Sequence, residues 1–95
     1  MGGLQTPKII NFTLPLAGTE YNVLVPMASK KFIIKIRGDG AKVNLAFAAG
    51  ETLAKYFTLG LGNFYEETGL QLTTDLAVYV QSNKPNQVLE ILTWE

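Results

Sequence analysis

The chain has 95 residues, of which 47% are hydrophobic and 17% charged, so it is large enough for one small domain with an apolar core but not for a multidomain enzyme. It contains no Cys and no His, which excludes a disulfide framework, a thiolate nucleophile, a cysteine zinc site and histidine acid–base catalysis. Eight basic and eight acidic residues give zero net charge, which disfavours a nucleic-acid partner bound through its phosphates.

The predicted elements are short strands separated by glycine and proline. Residues 1–8 show no periodicity and are predicted to form an N-terminal arm, and residues 9–95 a single domain. In chain order, the predicted strands are 9–14, 21–25, 31–37, 42–48, 56–59, 63–66, 76–82 and 87–94. Residues 50–55 are also compatible with one helical turn. Seven to eight short strands of this kind predict an all-β fold, an antiparallel β-sandwich or a jelly-roll-like barrel.

Turn residues predict two hairpins. The sequence Gly38-Asp39-Gly40 separates strands 31–37 and 42–48, which we expect to be antiparallel neighbours. Residues 83–86 (NKPN) have turn composition and predict a second hairpin between strands 76–82 and 87–94.

The last predicted strand is apolar on both sides. Leu89 and Ile91 occupy one side, and Val88, Leu92 and Trp94 the other. A strand of this kind is either covered on both sides within its own chain or meets another chain. Each sheet of a two-layer sandwich is covered on one side only, so contact with another chain remains an alternative for this strand.

The two halves of the chain differ in charge. Residues 1–48 contain six basic and two acidic residues, and residues 49–95 contain two basic and six acidic residues. The halves could form two faces of opposite charge that pair with further copies of the chain. Alternatively, strands from both halves interleave and the asymmetry cancels in space.

No motif predicts catalysis. Three acidic residues, Glu66, Glu67 and Asp75, fit no calcium-loop spacing and are interpreted as a solvated rim. We therefore expect no enzymatic activity, no catalytic residues, no metal site and no cofactor. No apolar run is long enough for a membrane span and the N-terminus lacks the pattern of a signal peptide, so we also expect no membrane partner.

Several aromatic residues are predicted to point outwards from the strands. The adjacent pairs Tyr56-Phe57 and Phe64-Tyr65 each place one ring inwards and one outwards. Outward rings serve as platforms for sugar rings or as anchors of protein interfaces, because both uses need an amphipathic aromatic surface. A carbohydrate-binding module is therefore the alternative to a protein-binding function.

The order of the strand and turn segments from Phe32 onwards covers about two-thirds of the chain. The segments are 32–37 (FIIKIR), 45–47 (LAF), 56–59 (YFTL), 64–67 (FYEE), 76–82 (LAVYVQS) and 88–94 (VLEILTW). In this order the sequence resembles small β-sandwich structural proteins of tailed-bacteriophage virions. The resemblance implies a capsid decoration, head or tail accessory protein, located in the virion and assembled in the host cytoplasm, with no catalytic residues.

We therefore expect a non-enzymatic protein that stabilises a phage capsid, or a neighbouring head or tail ring, as a cement does. The expected partners are the major capsid protein or other virion proteins, together with further copies of the chain in a homo-oligomer. Six residues are the candidate interface, three as apolar anchors and three as electrostatic guides: Tyr79, Leu92, Trp94, Lys31, Lys35 and Arg37.

Overall fold

The structure is a computed structural model that describes residues 6–37, 41–60 and 63–95. Its eight elements are all strands: β1 (Lys8–Leu14), β2 (Glu20–Val25), β3 (Lys31–Ile36), β4 (Val43–Ala46), β5 (Phe57–Leu59), β6 (Phe64–Thr68), β7 (Leu76–Ser82) and β8 (Gln87–Trp94). Over these ranges, no helix has the length and apolar character needed to cross a bilayer. The first residue of β1, Lys8, belongs to the predicted arm; residues 1–5 of that arm lie outside the described ranges.

The strands form two antiparallel four-stranded sheets packed against each other. The first sheet has the strand order β1-β8-β3-β6 and the second the order β2-β7-β4-β5. All six strand pairs are antiparallel. The predicted antiparallel β-sandwich is confirmed.

The core lies between the sheets and follows the alternation of each strand. On β3, Phe32 and Ile34 are fully buried, and on β8 so are Leu89 and Ile91. The buried hydrophobic cluster comprises Leu14, Val23, Val25, Phe32, Ile34, Ile36, Val43, Leu45, Leu59, Val78, Val80, Leu89 and Ile91. Because the inner sides of seven of the eight strands contribute to this cluster, with Tyr65 of β6 packed against it, the outer sides of the sheets are left for contact with other molecules.

The prediction that β3 and β4 are antiparallel neighbours is wrong. β3 lies in the first sheet between β8 and β6, whereas β4 lies in the second sheet between β7 and β5. The connection therefore crosses from one sheet to the other. A glycine-rich turn suits a sheet-to-sheet corner as well as a hairpin, so composition alone does not separate them. Residues 38–40 lie outside the described part of the chain.

The second predicted hairpin is also wrong, because β7 and β8 belong to different sheets. Two backbone N–H groups of the turn donate to other segments, Asn83 N–H to the carbonyl of Lys42 and Asn86 N–H to that of Pro15, while Lys84 N–H donates to the hydroxyl of Ser82. Asn86 has a φ of 57°, a left-handed conformation that asparagine tolerates. These residues form a corner tied to neighbouring loops.

Strands from the basic and the acidic half of the sequence are neighbours in the first sheet. Strand β3, which carries Lys31 and Lys35, pairs on one edge with β8 and on the other with β6, which carry Glu90 and Glu66. In this sheet, opposite charges from the two halves of the sequence are neighbours.

Candidate interaction surface

The outer side of the first sheet carries an apolar row across three strands. Strand register places Ile9 of β1 beside Leu92 of β8, and Leu92 beside Ile33 of β3. Ile9 is 69% exposed, while Leu92 and Ile33 are half-buried. We call the outer side of the first sheet the open face, because these apolar side chains reach solvent there.

Charged residues border the apolar row on the open face. The Nζ of Lys35 lies 3.3 Å from Oε1 of Glu90, and Nε of Arg37 donates to Oε2 of the same carboxylate at 2.7 Å. The Nζ of Lys31 lies 3.2 Å from Oε2 of Glu66. The three cations are thus paired within the chain, and exposed pairs of this kind contribute little to stability.

The contacts with Arg37 and Lys35 lower the pKa of the Glu90 carboxyl. Hydrogen bonds from Arg37 and then from Lys35 lower the pKa of the Glu90 carboxyl below its ordinary value of 4.5, against the opposing effect of desolvation. The carboxylate therefore stays charged at neutral and mildly acidic pH. The open face therefore carries both positive and negative charges over that pH range.

Trp94 ends the open face at the last residue of β8. Its partner in the register is Lys31, whose Nζ lies 4.7 Å from the centre of the indole ring, close enough for a cation–π contact. One face of the ring is thus occupied by a side chain of the same molecule, and the half-buried ring has a fixed position on the sheet.

The structure brings five of the six predicted interface residues onto the open face: Leu92, Trp94, Lys31, Lys35 and Arg37. The sixth, Tyr79, is half-buried on the outer side of the second sheet, where its register partners are Asn22 and Ala46. It cannot share a single flat contact with Trp94, because the two residues lie on opposite outer sides of the sandwich.

Sequence reasoning missed three apolar residues of the open face: Ile9, Ile33 and Phe64. Phe64 is 56% exposed beside Lys35. The available signal was Ile33, an isoleucine on the otherwise charged side of β3. A large apolar residue at such a position indicates contact with something other than water.

A loop lies over the outer side of the second sheet. We call residues 47–56 the cover loop and this side the covered face. The buried Thr52 donates its hydroxyl to Oε1 of Glu20 on β2 at 2.7 Å and lies 3.2 Å from Oε1 of Gln81 on β7. Its carbonyl accepts from Nδ2 of Asn44 on β4 at 2.9 Å. Three neighbouring strands therefore hold one threonine of the loop.

Glu20 also holds the cover loop through its second carboxylate oxygen, which accepts from the backbone N–H of Gly50 at 3.0 Å. This backbone bond, followed by the Thr52 hydroxyl, lowers the pKa of Glu20 from its ordinary value of 4.5. Gly50 has a φ of 79°, a left-handed conformation that glycine adopts without strain. The loop next forms one turn, in which Lys55 N–H donates to the carbonyl of Glu51.

An aromatic cluster lies at the edge where β5 and β6 meet. Tyr65 is at its centre, with ring centroids 5.9 Å from Phe32, 5.8 Å from Phe47 and 5.5 Å from Phe57. Burial, followed by its hydrogen bond to Glu67, raises the pKa of Tyr65 to about 12. The cluster joins the buried Phe32 to two half-exposed phenylalanines.

The acidic residues interpreted as a rim are engaged separately. Glu66 pairs with Lys31, Glu67 accepts from the hydroxyl of Tyr65 at 2.8 Å, and Asp75 accepts from the backbone N–H of Met27 at 2.8 Å. Within the described ranges, no group of three or more acidic, histidine or cysteine side chains is placed to hold a metal ion.

Comparison of the chain with protein-family models, with curated proteins and with solved structures finds no match.

Proposed function

We propose that this chain is a non-enzymatic structural protein that acts by binding other proteins through its open face. The observation that carries the proposal is the apolar row Ile9–Leu92–Ile33, with Trp94 beside it and ion pairs around it. Protein interfaces likewise combine apolar and aromatic anchor residues with a polar rim. The chain also lacks histidine and cysteine, the residues most used in catalysis.

The setting that we propose is the virion of a tailed bacteriophage, in which the chain cements neighbouring capsid, head or tail subunits. The support is the resemblance of residues 32–94 to virion β-sandwich proteins, together with the architecture of two sheets and one open face. A cement protein raises the free energy needed to separate the subunits that it bridges, and it needs only buried surface to do so.

The test is co-sedimentation of the purified chain with virions of the phage that encodes it, with mass spectrometry of the same particles. We expect wild-type chain in the particle fraction and at least about 10-fold weaker binding by Trp94→Ala, because tryptophan is among the residues whose removal weakens protein interfaces most. The matched control is Leu24→Lys, a change at a half-exposed leucine on the covered face. It should bind as the wild type does.

Two results would overturn the proposal. One is absence of the chain from the particles, combined with no binding of added protein. The other is equal binding by wild type and Trp94→Ala while both give the same circular dichroism spectrum, since the open face would then not be the contact surface.

One observation favours carbohydrate binding as the second candidate. Half-exposed Phe47 lines an open depression of about 390 Å³ on the surface together with Glu51 and Lys55. A sugar offers hydroxyl groups that can donate to the carboxylate and accept from the ammonium, and an apolar face for the ring.

Calorimetric titration with a panel of oligosaccharides tests this candidate, comparing wild type with Phe47→Ala and Glu51→Gln. Heat of binding that both variants reduce would support it. The absence of binding by wild type across the panel at millimolar sugar would reject it.

A further inference from the structure

The chemistry of the open face also indicates a particular partner. We propose that the open face binds a second copy of the same chain about a two-fold axis that runs along the strands, midway between β8 and β3. This inference deepens the proposed function and rests on it, because it uses the same surface.

Three register pairs between β8 and β3 face outwards. Leu92 pairs with Ile33, Glu90 with Lys35, and Trp94 with Lys31. Each pair is attractive: two apolar side chains, an ion pair at 3.3 Å and a cation over an indole ring at 4.7 Å.

A two-fold axis along the strands converts these in-sheet pairs into contacts between copies. Rotation about that axis leaves each residue at the same height along its strand and places β8 of one copy over β3 of the other. Leu92 then faces the second copy's Ile33, Glu90 faces its Lys35, and Trp94 faces its Lys31. On the outer strands Ile9 lies at the height of the second copy's Glu66, so the attractive contacts come from the two central strands. Each contact occurs twice, as a closed isologous interface requires.

Charge complementarity favours this occupant over a strongly charged partner. The described part of the open face carries three cations, Lys31, Lys35 and Arg37, and two carboxylates, Glu66 and Glu90. Their sum is close to zero, so two such faces approach without strong repulsion. A polyanion or a highly acidic protein would meet the carboxylates Glu66 and Glu90 on the same face, whereas a second copy can place its cations opposite them.

The size of the face sets the expected affinity. Four strands of five to eight residues, spaced about 4.8 Å apart, give a face of roughly 20 by 20 Å, or about 400 Å² per copy. A standard stable interface buries about 800 Å² per partner, so the dimer should be weak. We expect a dissociation constant in the range of about 10 µM to 1 mM.

The first experiment is sedimentation velocity of the pure chain over a concentration series that spans this range. We expect wild type to shift from monomer to dimer, and Leu92→Lys to stay monomeric because two lysines then oppose Ile33 side chains. Leu24→Lys, the matched control on the covered face, should dimerise as wild type does. A wild type that is monomeric at every concentration, or a dimer that Leu92→Lys does not weaken, overturns the inference.

The second experiment tests the proposed axis itself by exchanging one charge pair. A chain carrying both Lys35→Glu and Glu90→Lys keeps its in-sheet ion pair and, about the two-fold axis, keeps its pairing with an identical copy. Opposite a chain with the original pair, however, like charges face each other. Arg37→Gln is introduced into both chains so that residue 90 has one partner in each.

Each chain alone should dimerise, and a mixture should contain fewer mixed dimers than random pairing gives, as measured by native mass spectrometry. Mixed dimers at the random frequency would overturn the proposed axis.

The dimer and the proposed function can fail separately. A chain that stays monomeric but binds virions through Trp94 rejects only the dimer, because the open face then prefers another partner. A chain that dimerises as described but neither binds virions nor occurs in them rejects the virion role and leaves the dimer standing.

Discussion

The two outer sides of the sandwich differ in the polarity of their central residues. On the covered face, the outer residues Glu20, Gln81 and Asn44 are polar and bind Thr52 of the cover loop. On the open face, the corresponding central positions are the apolar Leu92 and Ile33, which the register places side by side. The loop binds the polar row of one sheet, whereas the apolar row of the other sheet has no such loop over it in the described part of the chain. Exposed apolar side chains also occur on the covered side, at Leu24 and at Leu53 of the loop.

This difference indicates which side is available for binding. A polar row is satisfied by hydrogen bonds within the molecule, and once satisfied it offers few groups to a partner. An apolar row on a sheet gains free energy only when another surface removes it from water. The central row of the open face therefore gains free energy from a partner, whereas the central row of the covered face is already hydrogen-bonded within the chain.

The largest expected effect is a difference in the free energy of unfolding between substitutions on the two sides of β8. Ile91 and Leu92 are neighbours on β8; Ile91 is fully buried between the sheets and Leu92 lies on the open face. Ile91→Ala should lower the free energy of unfolding by about 2–5 kcal/mol through lost burial and cavity formation. Leu92→Ala should cost about 1 kcal/mol or less, because the side chain is already partly in water.

Urea denaturation of both variants at a concentration where the chain is monomeric measures this difference. Equal losses at the two positions would mean that Leu92 also belongs to a core, and the contrast between the open and covered faces would disappear.

A smaller effect is expected on the covered face. Thr52→Val keeps the shape of the side chain but removes the hydroxyl that donates to Glu20, and a lost hydrogen bond of a buried group costs about 1 kcal/mol. Thr58→Val, at an exposed threonine on β5, is the control and should be close to neutral. Hydrogen exchange at the Gly50 amide should accelerate in the first variant only, because that amide also donates to Glu20.

An unchanged exchange rate in Thr52→Val would show that the cover loop is held by other contacts. The loop would then have to be described without the threonine as its attachment to the sheet.

The fold could be predicted from the sequence in its elements but not in its strand order. Alternation within a strand is local, so β3 and β8 and their inner sides were predicted well. Pairing between strands is not local: β3 and β8 are neighbours although more than 50 residues separate them along the chain. The turn 83–86 has the composition of a hairpin, but two of its N–H groups donate to Lys42 and Pro15.

The same limit applies to the candidate surface. Leu92 and Trp94 could be selected because they make the outer side of β8 apolar, and Lys31 and Lys35 because they alternate on β3. That these residues form one face depends on β8 pairing with β3, which the core determines. Tyr79 was selected on the same local grounds, and pairing of β7 with β2 and β4 places it on the other side of the molecule.

The smallest effect that we expect is a change in stability on removing the charge of Glu20 or Glu90, and the two carboxylates differ in the groups that they contact. The pKa is lowered for both Glu20 and Glu90, but Glu20 accepts from the neutral N–H of Gly50 and hydroxyl of Thr52, whereas Glu90 accepts from Arg37 and Lys35. A carboxyl whose pKa is lower in the folded state stabilises that state above its unfolded pKa. This contribution is lost as the pH falls through the folded pKa.

We therefore expect Glu20→Gln and Glu90→Gln each to be less stable than wild type at pH 7, with both differences shrinking as the pH falls below about 4. Added salt should separate the two variants. Screening at about 0.5 M NaCl weakens the attraction between Glu90 and its cations but leaves neutral hydrogen bonds to Glu20 nearly unchanged. Chemical denaturation with urea at both salt concentrations measures this. Equal salt sensitivity of the two variants would mean that the faces are held by the same kind of contact.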